Sequence, residues 1–367
     1  QLLSWLDRRK APTWSVRFLD EVTPRPYRPE LRERRPLRCR TPRTELDRLW
    51  RTASFTQMSS ARETKRPRGL VVDPDLGRDR DELLVPPVVE LPGDAHDDRV
   101  PLATFPRGAK AGIMFHDILE HLDFGASDEE RRALVASKLG AHGYASSSAQ
   151  PWIEIADDAL RDVLATPLEH AITRPVPIQG PCPLARIPRH QRLDELEFVF
   201  PVADSEASLA LDRQALAGVF ARHPEGLPPD YPSRLAALPF APLRGFLKGF
   251  IYLCFVHEGR WYLVDYKTNH LGDTWNDYGP DALAELMAHE HYVLQYHLYV
   301  VALVRHLACR IRGFSYDSHF GGVLYLFLRG MSPGRGGSTG IYGDRPPLAR
   351  IEALSRLLND PSSEVRR

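Results

Sequence analysis

The feature that most constrains the fold is a pair of apolar runs around one two-residue turn. Residues 249–257 and 260–269 flank Glu258-Gly259. Strand-like runs joined by such a turn predict a β-hairpin. A two-residue turn makes His257 face Arg260, and counting back along both strands brings position 252 opposite position 265. Opposed side chains on one sheet face have Cβ atoms about 4.5–5.5 Å apart. Lys267 lies two residues beyond Asp265 and so shares its face.

An acidic residue at 252, opposite Asp-x-Lys, would form a site for a hard cation. Two carboxylates and water suit magnesium, and a lysine beside them stabilises charge on a phosphate or helps to activate water. The chain has Asp265-Tyr266-Lys267, but position 252 is Tyr252. Asp-x-Lys alone equally describes a solvated ion pair at a strand end, and spacing by itself favours that plainer reading.

The surrounding elements predict an α/β chain. Phe115, Ile118, Leu119 and Leu122 form an apolar stripe in a helix over 111–124. Further helices are expected over 128–139 and 152–164. Residues 193–202 alternate as a strand. A long helix is expected over 281–309, an almost wholly apolar and therefore central strand over 321–328, a glycine-rich loop over 334–340 and a last helix over 348–358. This order predicts a mixed sheet flanked by helices.

Residues 1–104 read differently. Proline clusters at Pro24, Pro26 and Pro29 and at Pro86, Pro87 and Pro92, with weak apolar periodicity, predict extended, linker-like chain with a short helix near 45–51. The formal net charge of the whole chain is zero, which argues against a uniformly basic nucleic-acid coat. That zero hides a polarity. Residues 1–70 carry roughly 18 basic and 8 acidic side chains, and residues 71–100 roughly 3 and 9. A solvated tail and a linker that touches nucleic acid or a partner both fit this pattern. The chain begins with Gln1 and no secretion signal follows, so it reads as processed or as a piece of a longer protein. No run reaches the length of a membrane-spanning helix.

Four cysteines (Cys39, Cys182, Cys254 and Cys309) are too scattered for zinc or an iron–sulfur cluster, and their scarcity points to the cytoplasm. No phosphate-binding loop with a following Lys-Ser/Thr is present, so the chain has no ATP site of that kind. His289-Glu290-His291 lacks the spacing of a zinc protease. On the helix over 111–124, His116/Glu120 and Asp117/His121 are i, i+4 pairs. All four cannot face one point, and an exposed helix face is the plainer reading of Asp117 and His121.

The order and length of certain motifs go further. LRGFLKGFI (243–251), GRWYLVDYKTN (259–269), LQYHLY (294–299) and HFGGVLYLFLRG (319–330) together resemble the C-terminal nuclease domain of the RecB family, the exodeoxyribonuclease V β chains. FPRGA (105–109) and FHDILEHLDF (115–124) fit the same domain, and WRTASF (50–55) resembles the approach to it. The likeness covers about residues 105–358 and implies a restriction-endonuclease-like PD-(D/E)xK fold at 105–360 after the linker.

That resemblance implies DNA hydrolysis with one Mg²⁺ per site, held by His116, Asp265 and the backbone carbonyl of Tyr266 and assisted by Lys267. Gln295 and Tyr299 match the family's Q-x-x-x-Y and would support the site or contact DNA. Where the family has aspartate, this chain has Tyr252, a neutral phenol and a poor magnesium ligand. Double-strand-break repair and recombination, DNA, RecC-like and RecD-like subunits and a RecA-type recombinase are the implied setting and partners, with the helicase motors preceding this domain. The copy is expected to be catalytically impaired. Its rivals are a degenerate nuclease fold kept for DNA binding or subunit docking, and an isolated change in an active lineage; Glu197 is the first candidate for a substitute carboxylate.

Overall fold

The computed structural model of the chain describes residues 50–55, 58, 98–144, 150–168, 178, 182–202, 210–239 and 242–359. Both proline clusters, Cys39, the start of the expected helix at 45–51 and most of the basic and acidic stretches lie outside the described residues. At the end of that expected helix the chain is extended.

Six strands form one mixed sheet. They are β1 (Trp50–Ala53), β2 (Arg192–Val202), β3 (Arg244–His257), β4 (Arg260–Lys267), β5 (Phe320–Phe327) and β6 (Ile341–Asp344). The expected hairpin is β3–β4, with Glu258 at φ 50° and Gly259 at φ 76°. Two positive φ values in succession are those of a turn whose twist matches the strands. Its register runs from His257–Arg260 to Leu253–Val264, in step with the count made from the turn. β4 and β5 are parallel, which requires a crossover. That crossover is helical and breaks the single helix expected over 281–309 into α6 (Pro280–His289) and α7 (Tyr292–Arg310). The break falls at Glu290–His291, where His291 takes a left-handed φ of 57°.

One consequence of the pairing positions the site. β2 runs antiparallel along β3 from Gly245 to Phe255. On the other edge of β3, β1 pairs in parallel with 244–247, and β4 pairs with 253–257. Residues 248–252 therefore have no strand neighbour on that edge among the described residues. The sheet forks there, and β4 continues beside β5 alone to Lys267.

Helices pack against both faces. α1 (Ala109–His121), α2 (Asp128–Ala141) and α3 (Gln150–Ala165) lie close to their expected positions. Ser127 and Glu130 form a capping box at the start of α2, which satisfies amide donors that a helix start leaves open. The Arg131–Asp157 pair ties α2 to α3, with bonds of 2.8 and 3.3 Å. α1 contributes Phe115, Ile118 and Leu119 to a core shared with Leu253, Val264, Tyr266 and Leu326. A second core lies under α7 and joins Ile251, Leu263, Val323 and Tyr325 to α4 (Arg213–Arg222), α5 (Tyr231–Ala236) and α8 (Leu348–Asn359).

The folded part begins upstream of residue 105. β1 pairs with β3, Phe55, Met58 and Val100 are buried in the α7 core, and Leu102 is buried in the α1 core. The Val100 amide donates to the Asp273 carbonyl, and Arg107 pairs with Asp273 at 3.3 Å. Among the described residues no helix is long and apolar enough to cross a membrane.

Candidate functional site

Alternation along β4 sends Val264 and Tyr266 into the α1 core and Leu263 into the α7 core. Asp265 and Lys267 therefore point toward α7. Lys267 Nζ lies 3.1 Å from Asp265 Oδ2, an ion pair rather than a well-aligned hydrogen bond. The same ammonium sits 4.3 Å from the centroid of the Tyr292 ring and 5.4 Å from that of Tyr325. Asp265 has no exposed surface and Lys267 is 7 % exposed. The solvated strand-end pair is thus corrected: this pair is buried, where its charges act through a lower dielectric.

His116 arrives from α1. The backbone of Tyr266 lies close enough to its ring to favour a bound proton there, so two of the expected metal donors are neighbours. Burial, helped by the nearby Lys267 charge and opposed by that backbone, pushes its pKa down to about 3. The imidazole is accordingly neutral at pH 7. Nδ1 is buried with no hydrogen-bond partner among the described residues.

Tyr252 stands at the fork. The β3–β4 ladder ends at Leu253–Val264, so Tyr252 and Asp265 are not a laddered pair. Tyr252 packs instead with the α1 core and is 5 % exposed. Its ring centroid is 4.0 Å from that of His116, with an interplanar angle of 46°. The phenol ring thus covers the imidazole that would ligate a metal.

Gln295 and Tyr299 are both buried on α7. Gln295 Nε2 donates to the Tyr299 hydroxyl at 3.2 Å, and the Tyr325 hydroxyl donates to Gln295 Oε1 at 2.9 Å. Tyr325 pairs with Asp265 across β4 and β5. This chain of bonds ties α7 to β5, the strand beside the one that carries Asp265. A Cβ on Gly249 would lie 2.6 Å from the Phe198 ring and 3.2 Å from the Tyr299 ring, so a glycine is needed for this approach.

Three neighbours escaped the sequence reading. Arg329, fully buried after β5, donates to the carbonyls of Thr268, Leu102, Phe105 and Pro106. It ties the residue after Lys267 to the segment that launches α1. Asp194, partly buried, is held above the usual carboxylate range by burial, with Arg192 opposing. Glu195 has φ 51° and lies between the pairs Asp194–Leu253 and Leu196–Ile251, so it stands opposite Tyr252. Glu197 instead pairs with Lys248 on an exposed part of the sheet.

A separate cluster lies on α1, where one ligand atom from each of Asp117, Glu120 and His121 falls within 4.8 Å of the others. Asp117 already bonds Lys138 and, at 2.8 Å, His142. Those bonds join α1 to α2, in keeping with a structural helix face.

No family model matches the chain. It is 36 % identical over 330 residues to the RecBCD enzyme subunit RecB of Mycobacterium tuberculosis H37Rv, covering 86 % of this chain and 29 % of that protein. It is 34 % identical over 308 residues to RecB of Escherichia coli K12, covering 84 % of this chain and 23 % of that protein. The RecB of Haemophilus influenzae Rd is 33 % identical over 251 residues, 68 % of this chain and 18 % of that protein. The chain therefore spans less than a third of the length of these curated relatives.

Proposed function

The chain is a RecB C-terminal nuclease-domain-like protein, and on that premise we propose that it is the nuclease-fold module of a RecBCD-type helicase–nuclease, impaired in its own phosphodiester hydrolysis by Tyr252. The observation that carries this reading is the Tyr252 ring packed against His116, tilted at 46° with centroids 4.0 Å apart, at the fork of the sheet. The family's Mg²⁺ does not fit the residues as they stand. Only Asp265 supplies a carboxylate among the expected donors, its Oδ2 is in contact with Lys267, and a neutral phenol replaces the second acid.

What the chain's own residues retain is a held cation and a neutral imidazole. Lys267 keeps a fixed positive charge beside the fork, suited to a phosphate oxygen. His116 presents Nδ1, a ring nitrogen that no other described group hydrogen-bonds. In this proposal DNA is the ligand, RecC-like and RecD-like subunits are the assembly partners, a RecA-type recombinase acts on the product and the cytoplasm is the compartment. ATP-driven unwinding belongs to another part of such an assembly. A degenerate module kept for DNA binding or docking is the neighbouring reading, and Tyr252 favours it as far as catalysis goes.

The test is cleavage of linear DNA with Mg²⁺ by the chain, by Tyr252→Asp and by Tyr252→Asp with Lys267→Ala. Negligible cutting by the first, cutting by the second and loss again in the third support the proposal. Cutting by the chain at the rate of the Asp variant would overturn the impairment. Glu195→Gln would then ask whether the acid opposite Tyr252 serves as the ligand.

A further inference from the structure

One face of the sheet beside the fork is not covered by any described helix, and its side chains alternate in kind. On β3, Gly245, Leu247, Gly249 and Ile251 are buried, whereas Arg244, Phe246, Lys248 and Phe250 point the other way and are partly or largely exposed. β1 adds Trp50, which pairs with Arg244 and is 48 % exposed. Trp50 and Phe246 meet edge to face with centroids 6.0 Å apart, and Lys248 Nζ lies 5.2 Å from the Phe250 ring. The row therefore reads cation, aromatic, cation, aromatic at every second residue. It then reaches Tyr252 and the stretch 248–252, where no described strand joins β3 on that edge, beside His116.

We infer that this face is a stacking platform for single-stranded DNA, which it leads along β3 to the fork. This rests on the DNA-processing reading above. A single strand offers phosphates and open base faces in alternation, and cations interleaved with aromatic rings are its chemical complement. A duplex keeps its base faces stacked inside and cannot use Trp50 or Phe246 in this way. The exposed pair of Lys248 with Glu197 does not close the platform, since such surface pairs are weak and a phosphate can displace the carboxylate. Pro201 and Val199, opposite Phe246 and Lys248 on β2, border the row with apolar surface.

The experiment is fluorescence anisotropy of labelled oligo-dT and of a duplex of equal length with the full chain, in EDTA so that no cleavage enters. Oligo-dT should bind more tightly than the duplex. Trp50→Ala and Phe246→Ala should each weaken oligo-dT binding by at least about five-fold, the lower end of what one stacked base contributes. Phe246→Tyr should retain binding, and Lys248→Ala should flatten the dependence of log K on log salt by about 0.7. Trp50 and Phe246 lie on different strands and are exposed, so a folding failure at one leaves the other to decide, with thermal melts as the control. Unchanged oligo-dT affinity in both alanine variants overturns the platform. That includes the outcome in which those variants lose a protein partner instead. Equal loss of duplex binding also overturns it. Because binding is read without metal, failure of Tyr252→Asp to cut DNA would leave this result standing, and failure here would leave the cleavage test intact.

Discussion

Replacing Tyr252 with aspartate should change stability before it changes catalysis. The ring is 5 % exposed and packs in the α1 core against His116. Truncating a buried aromatic side chain commonly costs about 3–5 kcal/mol. The new carboxylate also brings a charge into a position that is buried. In EDTA, Tyr252→Asp should therefore be at least about 3 kcal/mol less stable than the chain as it stands. At about 2–4 °C per kcal/mol for a domain of this class, the melting temperature should fall by roughly 10 °C. A divalent cation should return part of that loss. At 100 times its Kd, a ligand specific to the folded state contributes about 2.7 kcal/mol, or several degrees. The assay is a calorimetric or fluorescence melt in EDTA and over a Mg²⁺ or Mn²⁺ series, with Tyr252→Phe as the isosteric control. The reasoning is refuted if Tyr252→Asp melts with the parent in EDTA. It is equally refuted if the parent gains as much from the metal as the variant does.

Three further outcomes follow from the same geometry. His116 is neutral when folded and its pKa is lowered from 6.5 to about 3, chiefly by burial. Between those values the unfolded chain binds the extra proton, so stability should fall as pH drops from about 6.5 toward 3, and urea midpoints of His116→Gln should show a shallower fall. Arg329→Lys leaves several of four buried carbonyls without their donor and should lose about 3 kcal/mol or more in urea unfolding. Gln295→Leu removes the two hydrogen bonds of that amide, to Tyr299 and from Tyr325, and should cost about 1–3 kcal/mol, while oligo-dT binding in EDTA stays unchanged.

The hairpin was legible because everything that forms it is local: two apolar runs and a turn whose Gly259 accepts positive φ. The central, doubly buried character of β5 was legible from its unbroken apolar run. β1 and β6 were not, since four residues are too few to show a period and their pairing partners are distant in sequence. The break between α6 and α7 was hidden because Glu290 and His291 are not helix breakers; only the left-handed backbone at His291 ends the first helix. α4 and α5 lie in a stretch with no assigned element, and their faces become apolar only against α8 and α7. At the site, Asp265 and Lys267 could be found from spacing. The role of His116 beside Asp265 could not, because a histidine on an apolar helical stripe reads as core and its spacing pairs it only with Glu120; the family resemblance placed it with Asp265. Glu195 gave no signal, as a positive φ on glutamate is set by the strand pairing around it.

The charges at the fork explain how a tyrosine is accommodated there. With His116 neutral, Asp265 and Lys267 form a buried pair of opposite charges. Adding a phenol leaves that balance undisturbed, and its ring fills space beside the imidazole. An aspartate at the same position would make two carboxylates and one ammonium, a net negative charge in a site shielded from water. Such a charge is costly unless a cation joins it or one acid takes up a proton. The aspartate form thus calls for a metal or a proton, whereas the tyrosine form is electrically complete from its own side chains. With tyrosine at 252 the second acid and the need for a cation are absent together. The rest of the site, from the Tyr325–Gln295–Tyr299 bonds to the Arg329 clamp, depends on neither and is left standing.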